Sequence, residues 1–152
     1  MGKNTYTWSF GVLVAIILIT ISLSGRLSSE PTQSSANSIG ATRAITSLET
    51  PQFSSLMREE SPILIDVRTP EEFATGHLKD AVNIDFYSPN FRSEIANLDP
   101  TKQYALYCRS GNRTSQTLSM MRTMGFSNVS DLKGGIVAWQ QHGLSLCTIG
   151  KC

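Results

Sequence analysis

A short segment around Cys108 carries the residue types best suited to chemistry. A thiol follows the apolar run 104–107 and precedes two arginines and a glycine, with no carboxylate in the segment: Cys108-Arg109-Ser110-Gly111-Asn112-Arg113-Thr114. Residues 115–124 carry apolar side chains at helical spacing, and Gly125 follows them. We therefore predict a strand–loop–helix turn, in which loop N–H groups, the helix dipole and two guanidinium groups favour a thiolate. We interpret Cys108 as a nucleophile rather than as a buried structural cysteine.

Apolar segments alternate with helical patterns along the chain. Strands are predicted at 44–48, 63–65, 81–84, 104–107 and 129–132, and helices are predicted to begin at Thr50, Pro70, Ser93, Thr114 and Ile136. Thr69, Pro70 and Glu72 form a capping-box pattern at the start of the second helix. This alternation predicts an α/β domain with a mainly parallel sheet. Ligands bind beyond the carboxyl ends of such strands, where Cys108 lies and where Asp66 and Arg68 follow another strand.

The N-terminal part of the chain differs in composition from the rest. Residues 8–23 are largely apolar and uncharged and follow Lys3, so we predict an export signal or a membrane anchor at 1–24, with the domain delivered outside. Residues 25–44, rich in Ser and Thr, are predicted to be a flexible linker. The folded domain is predicted at 45–146, followed by a C-terminal tail at 147–152 that carries a cysteine pair.

Charge and cysteine content narrow the classes of function. A net charge of +1 offers no basic surface for nucleic acid. Export would permit a disulfide between Cys147 and Cys152. Two free thiols, or a thiol that resolves or accepts sulfur, are the alternatives for this pair. His142 is the only nearby histidine, and no zinc-like spacing results, so neither a metal nor a cofactor is predicted.

Five sequence motifs in order resemble a single rhodanese domain, the sulfurtransferase family. The motifs are Leu64-Ile65-Asp66-Val67-Arg68-Thr69-Pro70-Glu71-Glu72-Phe73; Gly76-His77-Leu78 with Ala81-Val82-Asn83-Ile84; Tyr107 to Arg113; Gly125-Phe126; and Leu132-Lys133-Gly134-Gly135-Ile136 to Trp139. The resemblance implies a five-stranded parallel sheet with helices on both faces. It also implies a reaction in which a cysteine takes the outer sulfur of thiosulfate or a similar anion, and cyanide or a thiol removes it.

The resemblance assigns expected roles to the loop residues. Cys108 would carry the persulfide, the N–H groups from Arg109 through Ser110, Gly111 and Asn112 to Thr114 would cradle the sulfur, and the arginines would orient the donor. A structural brace is the alternative for Arg113, and a solvated charge is the alternative for Arg109. The loop from Cys108 to Arg113 has six residues, as in sulfurtransferases, whereas related phosphatases and arsenate reductases have seven.

Residues near the loop are expected to be structural. Asp66 and Arg68 would pair or bind backbone, with Glu72 as a further partner for Arg68. Gly134 and Gly135 would let the backbone turn tightly near the site. The Thr114 hydroxyl is expected to cap the helix that follows the loop.

The expected function is therefore a sulfurtransferase, exported to the periplasm or another extracytoplasmic space, either released or tethered to a membrane. Its partners would be a small sulfur-containing anion and a thiol or cyanide acceptor. Two alternatives are a module that carries or senses a persulfide without turnover and a thiol-redox relay through Cys147 and Cys152. Phosphatase or arsenate chemistry is the least favoured, because a tetrahedral oxyanion needs a larger loop.

Overall fold

The computed structural model describes residues 44–148 and 151–152, and this part contains a five-stranded, all-parallel sheet. The strands lie in the order β1-β5-β4-β2-β3. Their bounds are β1 (Ile45–Leu48), β2 (Ile63–Asp66), β3 (Val82–Asn83), β4 (Tyr104–Tyr107) and β5 (Val129–Leu132). The predicted α/β fold with a parallel sheet is confirmed, and each strand lies within one residue of its predicted bounds.

Helices connect the strands within the described residues. They are α1 (Thr50–Glu59), α2 (Pro70–Thr75), α3 (Phe91–Ala96), α4 (Asn112–Thr123) and α5 (Gly135–Gln141). At α2 the capping box is present: the Glu72 N–H donates to the Thr69 hydroxyl at 3.3 Å, and the Thr69 N–H donates to the Glu72 carboxylate at 3.1 Å. These reciprocal bonds fix the position of Glu72 at the start of the helix.

Helix α4 begins two residues earlier than the sequence predicts. Gly111 is its N-cap residue and adopts a left-handed conformation with φ +96°, which a residue without Cβ adopts without steric cost. Because the helix starts at Asn112, Thr114 is its third residue, and no side-chain hydrogen bond caps this terminus. The prediction that Thr114 caps the helix is therefore wrong.

The core has one apolar cluster on each face of the sheet. Side chains alternate along each strand, so Tyr104 and Leu106 join the cluster beneath α3 and α4, whereas Ala105 and Tyr107 join the cluster beneath α1 and α5. Cys108 belongs to the first cluster. Burial on both faces explains why the β4 residues read as a continuous apolar run rather than an alternating one.

The C-terminal tail is joined to the domain beside α2. Cys147 and His77 exchange two backbone hydrogen bonds of 2.7 and 2.8 Å, and a disulfide links Cys147 to Cys152. Cys108 is a free thiol.

No helix within residues 44–148 and 151–152 is long and apolar enough to cross a membrane. The predicted signal or anchor at 1–24 and the linker up to residue 43 lie outside the described residues.

Candidate active site

The site lies at the edge of the sheet where the central strands end. Asp66 and Tyr107 are register partners in the β2–β4 pair, and Cys108 continues directly from β4. Parallel pairing brings the ends of β2, β4 and β5 to one edge, so the residues after these strands become neighbours. The structure thus places Asp66 and Arg68 beside the start of the cysteine loop, at the edge where the sequence predicts that these strands end.

Cys108 is held at the base of the loop. Its side chain belongs to the buried core, and the residue is 1% exposed. The backbone N–H of Gly111 donates to Cys108 Sγ at 3.1 Å, within the range of a hydrogen bond to sulfur. A donor in this position stabilises negative charge on the sulfur.

The N-terminus of α5 supports the loop from the other side. Ile136 N–H donates to the Cys108 carbonyl at 2.8 Å, and Val137 N–H donates to the Arg109 carbonyl at 3.3 Å. Gly135 has φ +60°, and a Cβ atom there would lie 2.4 Å from the Cys108 carbonyl oxygen. Only glycine permits this close approach, which gives the predicted tight turn a specific purpose. Gly134, with φ +74°, precedes it as the N-cap residue.

Arg113 is engaged by Glu72 in a two-point ion pair. Its Nη1 and Nη2 donate to the two carboxylate oxygens at 2.6 and 2.9 Å, and the ring centroid of Tyr87 lies 5.6 Å from the guanidinium carbon. The hydrogen bond from Arg113 lowers the pKa of Glu72 to about 2, and the Thr69 N–H acts in the same direction against the effect of burial. The same hydrogen bond raises the pKa of Arg113. The expectation that Glu72 partners Arg68 is wrong, because Arg113 occupies its carboxylate.

Arg68 instead pairs with Asp66, two residues away. Arg68 Nη2 lies 2.6 Å from Asp66 Oδ2 and 2.7 Å from the Gly76 carbonyl oxygen, and both side chains of the pair are almost fully buried. Burial disfavours the charged guanidinium, but the hydrogen bond and the charge of Asp66 outweigh it and raise the pKa of Arg68. Nearby, Tyr107 accepts a hydrogen bond from Leu78 N–H at 3.0 Å, and burial together with the charge of Asp66 raises the pKa of the phenol.

The other loop residues face solvent. Arg109, Ser110 and Asn112 are exposed. Among the described residues, Arg109 has no ion-pair partner, in contrast to Arg113. The two arginines therefore differ in availability: Arg109 can meet an incoming anion, and Arg113 is committed to Glu72.

A buried carboxylate beneath the loop is absent from the sequence-based set of site residues. Asp131, on β5, is 2% exposed and accepts a 2.6 Å hydrogen bond from the Thr114 hydroxyl and a second bond from the Ser47 hydroxyl on β1. The Thr114 oxygen also lies 3.0 Å from the Gly111 carbonyl oxygen. The available signal was a charged residue inside a predicted buried strand, because such a residue requires polar partners.

Comparison with known proteins assigns the fold to a family. Residues 49–142 match the family model of the rhodanese-like domain. The chain belongs to the rhodanese-like domain family. It is 34% identical over 87 residues to a sulfurtransferase of Allochromatium vinosum, covering 57% of this chain and 79% of that protein. It is 30% identical over 90 residues to the thiosulfate sulfurtransferase GlpE of Pseudomonas syringae, covering 59% and 83% respectively.

Solved structures show the same fold. The crystal structure of a rhodanese-related protein from Thermoplasma volcanium superposes with a TM-score of 0.59 at 25% identity, covering 66% of this chain and 96% of that one.

The rhodanese-like domain thus presents a free thiol at a sheet edge, with a backbone donor on its sulfur and, beside it, an exposed arginine without an ion-pair partner among the described residues. No cluster of three or more His, Cys, Asp or Glu side chains that could hold a metal ion occurs in residues 44–148 and 151–152. The arrangement suits nucleophilic attack by sulfur on a small anion.

Proposed function

We propose that this rhodanese-like domain is a sulfurtransferase that moves sulfane sulfur from thiosulfate or a similar anion to cyanide or a thiol through a persulfide on Cys108. The observation that carries the proposal is the hydrogen bond from Gly111 N–H to Cys108 Sγ, in a six-residue loop without a carboxylate. The names of relatives such as the Allochromatium vinosum sulfurtransferase support the same class of reaction.

Two displacement steps at sulfur make up the proposed reaction. The Cys108 thiolate attacks the outer sulfur of thiosulfate, a new S–S bond forms, and sulfite leaves with the electron pair of the broken S–S bond. Cyanide then attacks the outer sulfur of the persulfide, thiocyanate leaves, and the thiolate returns. The Gly111 N–H stabilises the Cys108 thiolate that attacks in the first step and returns in the second, whereas the persulfide between them carries its charge on the outer sulfur.

Two further features support binding of an anionic donor. Exposed Arg109 can pair with the sulfonate oxygens of thiosulfate. Arg113, held by Glu72, adds positive charge close to the loop without being free to follow the substrate. The short loop leaves little room for a phosphate, which disfavours phosphatase chemistry.

Intact-protein mass spectrometry before and after thiosulfate treatment tests the proposal. A persulfide adds about 32 Da, one sulfur atom, and peptide mapping should assign it to Cys108. The matched control is Cys108→Ser, which should take up no sulfur and form no thiocyanate with cyanide. Equal thiocyanate formation by the parent and by Cys108→Ser would refute the proposal.

Mass spectrometry and the thiocyanate assay also distinguish the two alternative functions. A module that only carries or senses sulfur would show one persulfide per chain and no steady-state thiocyanate formation. A redox relay would show a mixed disulfide between Cys108 and Cys147 or Cys152. Such a relay would run by attack of the Cys108 thiolate on the disulfide between Cys147 and Cys152.

We also propose that the domain, 45–146, acts outside the cytoplasm, either released or tethered by the segment 1–24. The apolar run 8–23 after Lys3 supports export, and a Cys147–Cys152 disulfide suits an oxidising compartment. Cell fractionation with N-terminal mass analysis tests this: a cleaved chain in the extracytoplasmic fraction, or an intact chain in the membrane fraction, is expected. An intact chain in the cytosolic fraction would contradict it.

A further inference from the structure

A continuous series of hydrogen-bonding contacts runs from the edge strand β1 to the sulfur. The Ser47 hydroxyl donates to Asp131, the Thr114 hydroxyl lies 2.6 Å from Asp131 and 3.0 Å from the Gly111 carbonyl oxygen, and Gly111 N–H donates to Cys108 Sγ at 3.1 Å. Asp131 thus holds Thr114 in the first turn of α4, and Gly111 is the N-cap residue of the same helix. None of these contacts is required by the sheet itself.

Asp131 lies on the same side of the sheet as Cys108. Asp131 is the register partner of Leu106 in the β4–β5 pair, and Leu106 and Cys108 both belong to the cluster beneath α4. A strand spacing of about 4.8 Å and a rise of about 3.3 Å per residue place the Asp131 and Cys108 Cα atoms roughly 8 Å apart. The start of α4 contacts both residues, since Thr114 bonds to Asp131 and the N-cap Gly111 bonds to Cys108 Sγ.

The role of Asp131 follows from the hydroxyl protons of Ser47 and Thr114. Ser47 and Thr114 each supply one hydroxyl proton, and the Asp131 carboxylate accepts both, so its role is to hold the Thr114 side chain in place. An asparagine would keep both contacts, because its oxygen can accept from Ser47 while its N–H donates to Thr114. A leucine of similar size would supply neither donor nor acceptor.

We propose that Asp131 is a positioning residue for the sulfur-transfer step, acting through Thr114 to fix the Gly111 N–H on the sulfur of Cys108. The inference rests on the proposed function, because it concerns the rate at which Cys108 takes up sulfur. Asp131 does not touch the donor, so its loss should change the rate of the chemical step rather than donor binding. The expected signature is a fall in limiting rate with little change in half-saturation.

Single-turnover sulfur loading from thiosulfate, followed by quenched mass spectrometry, tests the proposal with Asp131→Leu and Asp131→Asn. Asp131→Leu should lower the limiting rate at least ten-fold, leave the half-saturating thiosulfate concentration within three-fold of the parent, and remain slow at temperatures where the variant is folded. Asp131→Asn should recover the rate to within three-fold of the parent. Equal losses in the two variants would overturn the hydrogen-bonding role.

A second pair of variants keeps the test valid if Asp131→Leu does not fold. Thr114→Val preserves shape and removes the hydroxyl, so it should load at least ten-fold more slowly, whereas Thr114→Ser should load at close to the parent rate. Ser47→Ala, at the far end of the series, should change the rate less than three-fold. Loading of Thr114→Val at the parent rate would overturn the proposal.

Failure of the proposed function gives a different result. In that case the parent takes up no sulfur at all, and the rate of Cys108 alkylation by iodoacetamide becomes the readout for the same variants. The order expected is unchanged, with parent, Asp131→Asn and Thr114→Ser faster than Asp131→Leu and Thr114→Val. Equal alkylation rates across the set would then refute the positioning role of Asp131.

Discussion

Arg109 and Arg113 belong to one loop motif, but their surroundings differ. Arg113 donates to both oxygens of Glu72 and lies against Tyr87, whereas Arg109 is exposed and has no carboxylate partner among the described residues. A paired and partly buried guanidinium contributes mainly to structure and to the local field. An exposed one is free to bind an anion. The two roles that sequence reasoning left open for each residue can therefore be separated by experiment.

We expect Arg109→Ala to raise the KM for thiosulfate roughly ten-fold, as loss of one charge-assisted contact implies, with a change in unfolding free energy of no more than about 0.5 kcal/mol. Arg113→Ala should lower the unfolding free energy by roughly 1–3 kcal/mol, because Glu72 loses its partner. Steady-state kinetics and urea unfolding check both values. The opposite assignment, with stability lost in Arg109→Ala alone, would contradict this reading.

The Glu72–Arg113 pair predicts a specific dependence of stability on pH. Glu72→Gln should lower the unfolding free energy by about 1–2 kcal/mol at pH 7. The pKa of Glu72 in the folded state is about 2, below its ordinary value of 4.5, so the pair stabilises the fold fully above pH 4.5. The difference between parent and Glu72→Gln should therefore shrink as pH falls from 4.5 toward 2.

Urea unfolding at several pH values measures that difference. Glu71→Gln is the matched control, since Glu71 is an exposed neighbour in the first turn of the same helix and forms no ion pair among the described residues. It should have a smaller effect at pH 7. A difference for Glu72→Gln that grows on acidification would rule out the assigned coupling.

At the level of elements, the site depends on two helix N-termini that meet the loop through glycine. Helix α4 starts at Asn112, after the N-cap Gly111 whose N–H meets the sulfur, and α5 starts at Gly135, which lets the next N–H groups reach the carbonyls of Cys108 and Arg109. Gly111 and Gly135 both adopt left-handed conformations. The loop is therefore set by backbone contacts as much as by its side chains.

Gly135→Ala should be strongly destabilising, and Gly125→Ala is its matched control. Both positions have left-handed φ, which costs alanine about 1–2 kcal/mol, but a Cβ at Gly125 meets nothing within 4 Å. At Gly135 the overlap with the Cys108 carbonyl should add about 1–3 kcal/mol and should slow sulfur loading. Thermal unfolding and the loading assay measure the two effects. Equal unfolding free energies for the two variants would show that the loop accommodates a Cβ atom at position 135 without cost.

The sequence predicts the elements well because their signals are local. Apolar runs, the capping box at Thr69 and the glycine after α4 each lie within a few residues of the feature they determine. Contacts between side chains are harder to predict from the sequence, because they depend on which elements become neighbours in the fold. Glu72 and Arg113 are 41 residues apart, and Ser47 and Asp131 are 84 apart, so neither contact is visible from spacing along the chain. For this reason the sequence alone suggests Arg68 as the partner of Glu72 and does not indicate a role for Asp131.

In the part of the chain that the structure describes, the sheet separates two apolar clusters, and the C-terminal tail pairs with the segment that follows α2. The tail is joined through backbone bonds between Cys147 and His77, and Gly76, next to His77, provides the carbonyl that Arg68 binds at 2.7 Å. His77, which binds the tail, is therefore adjacent in sequence to Gly76, whose carbonyl group accepts a hydrogen bond from Arg68. The disulfide closes this tail on itself rather than linking it to a distant element.

Reduction of the Cys147–Cys152 disulfide should lower the unfolding free energy by no more than about 2 kcal/mol, because the loop it closes is short. Thermal unfolding of the parent with and without dithiothreitol measures the effect. The variant Cys147→Ser/Cys152→Ser is the control and should be insensitive to the reductant. A larger loss on reduction would indicate that the tail contributes more to the fold than its loop length implies.

In the proposed reaction, the burial of Cys108 would select by size between the thiol without bound sulfur and the sulfur-loaded cysteine. With 1% of the residue exposed, the thiol without bound sulfur would admit a small anion more readily than a bulky disulfide or oxidant. Loading moves the terminal sulfur roughly 2 Å outward along a new S–S bond, so the accessible atom is then the one to be delivered. A domain built this way would resist oxidation while it waits for a donor and would become open to larger thiols only once it carries sulfur.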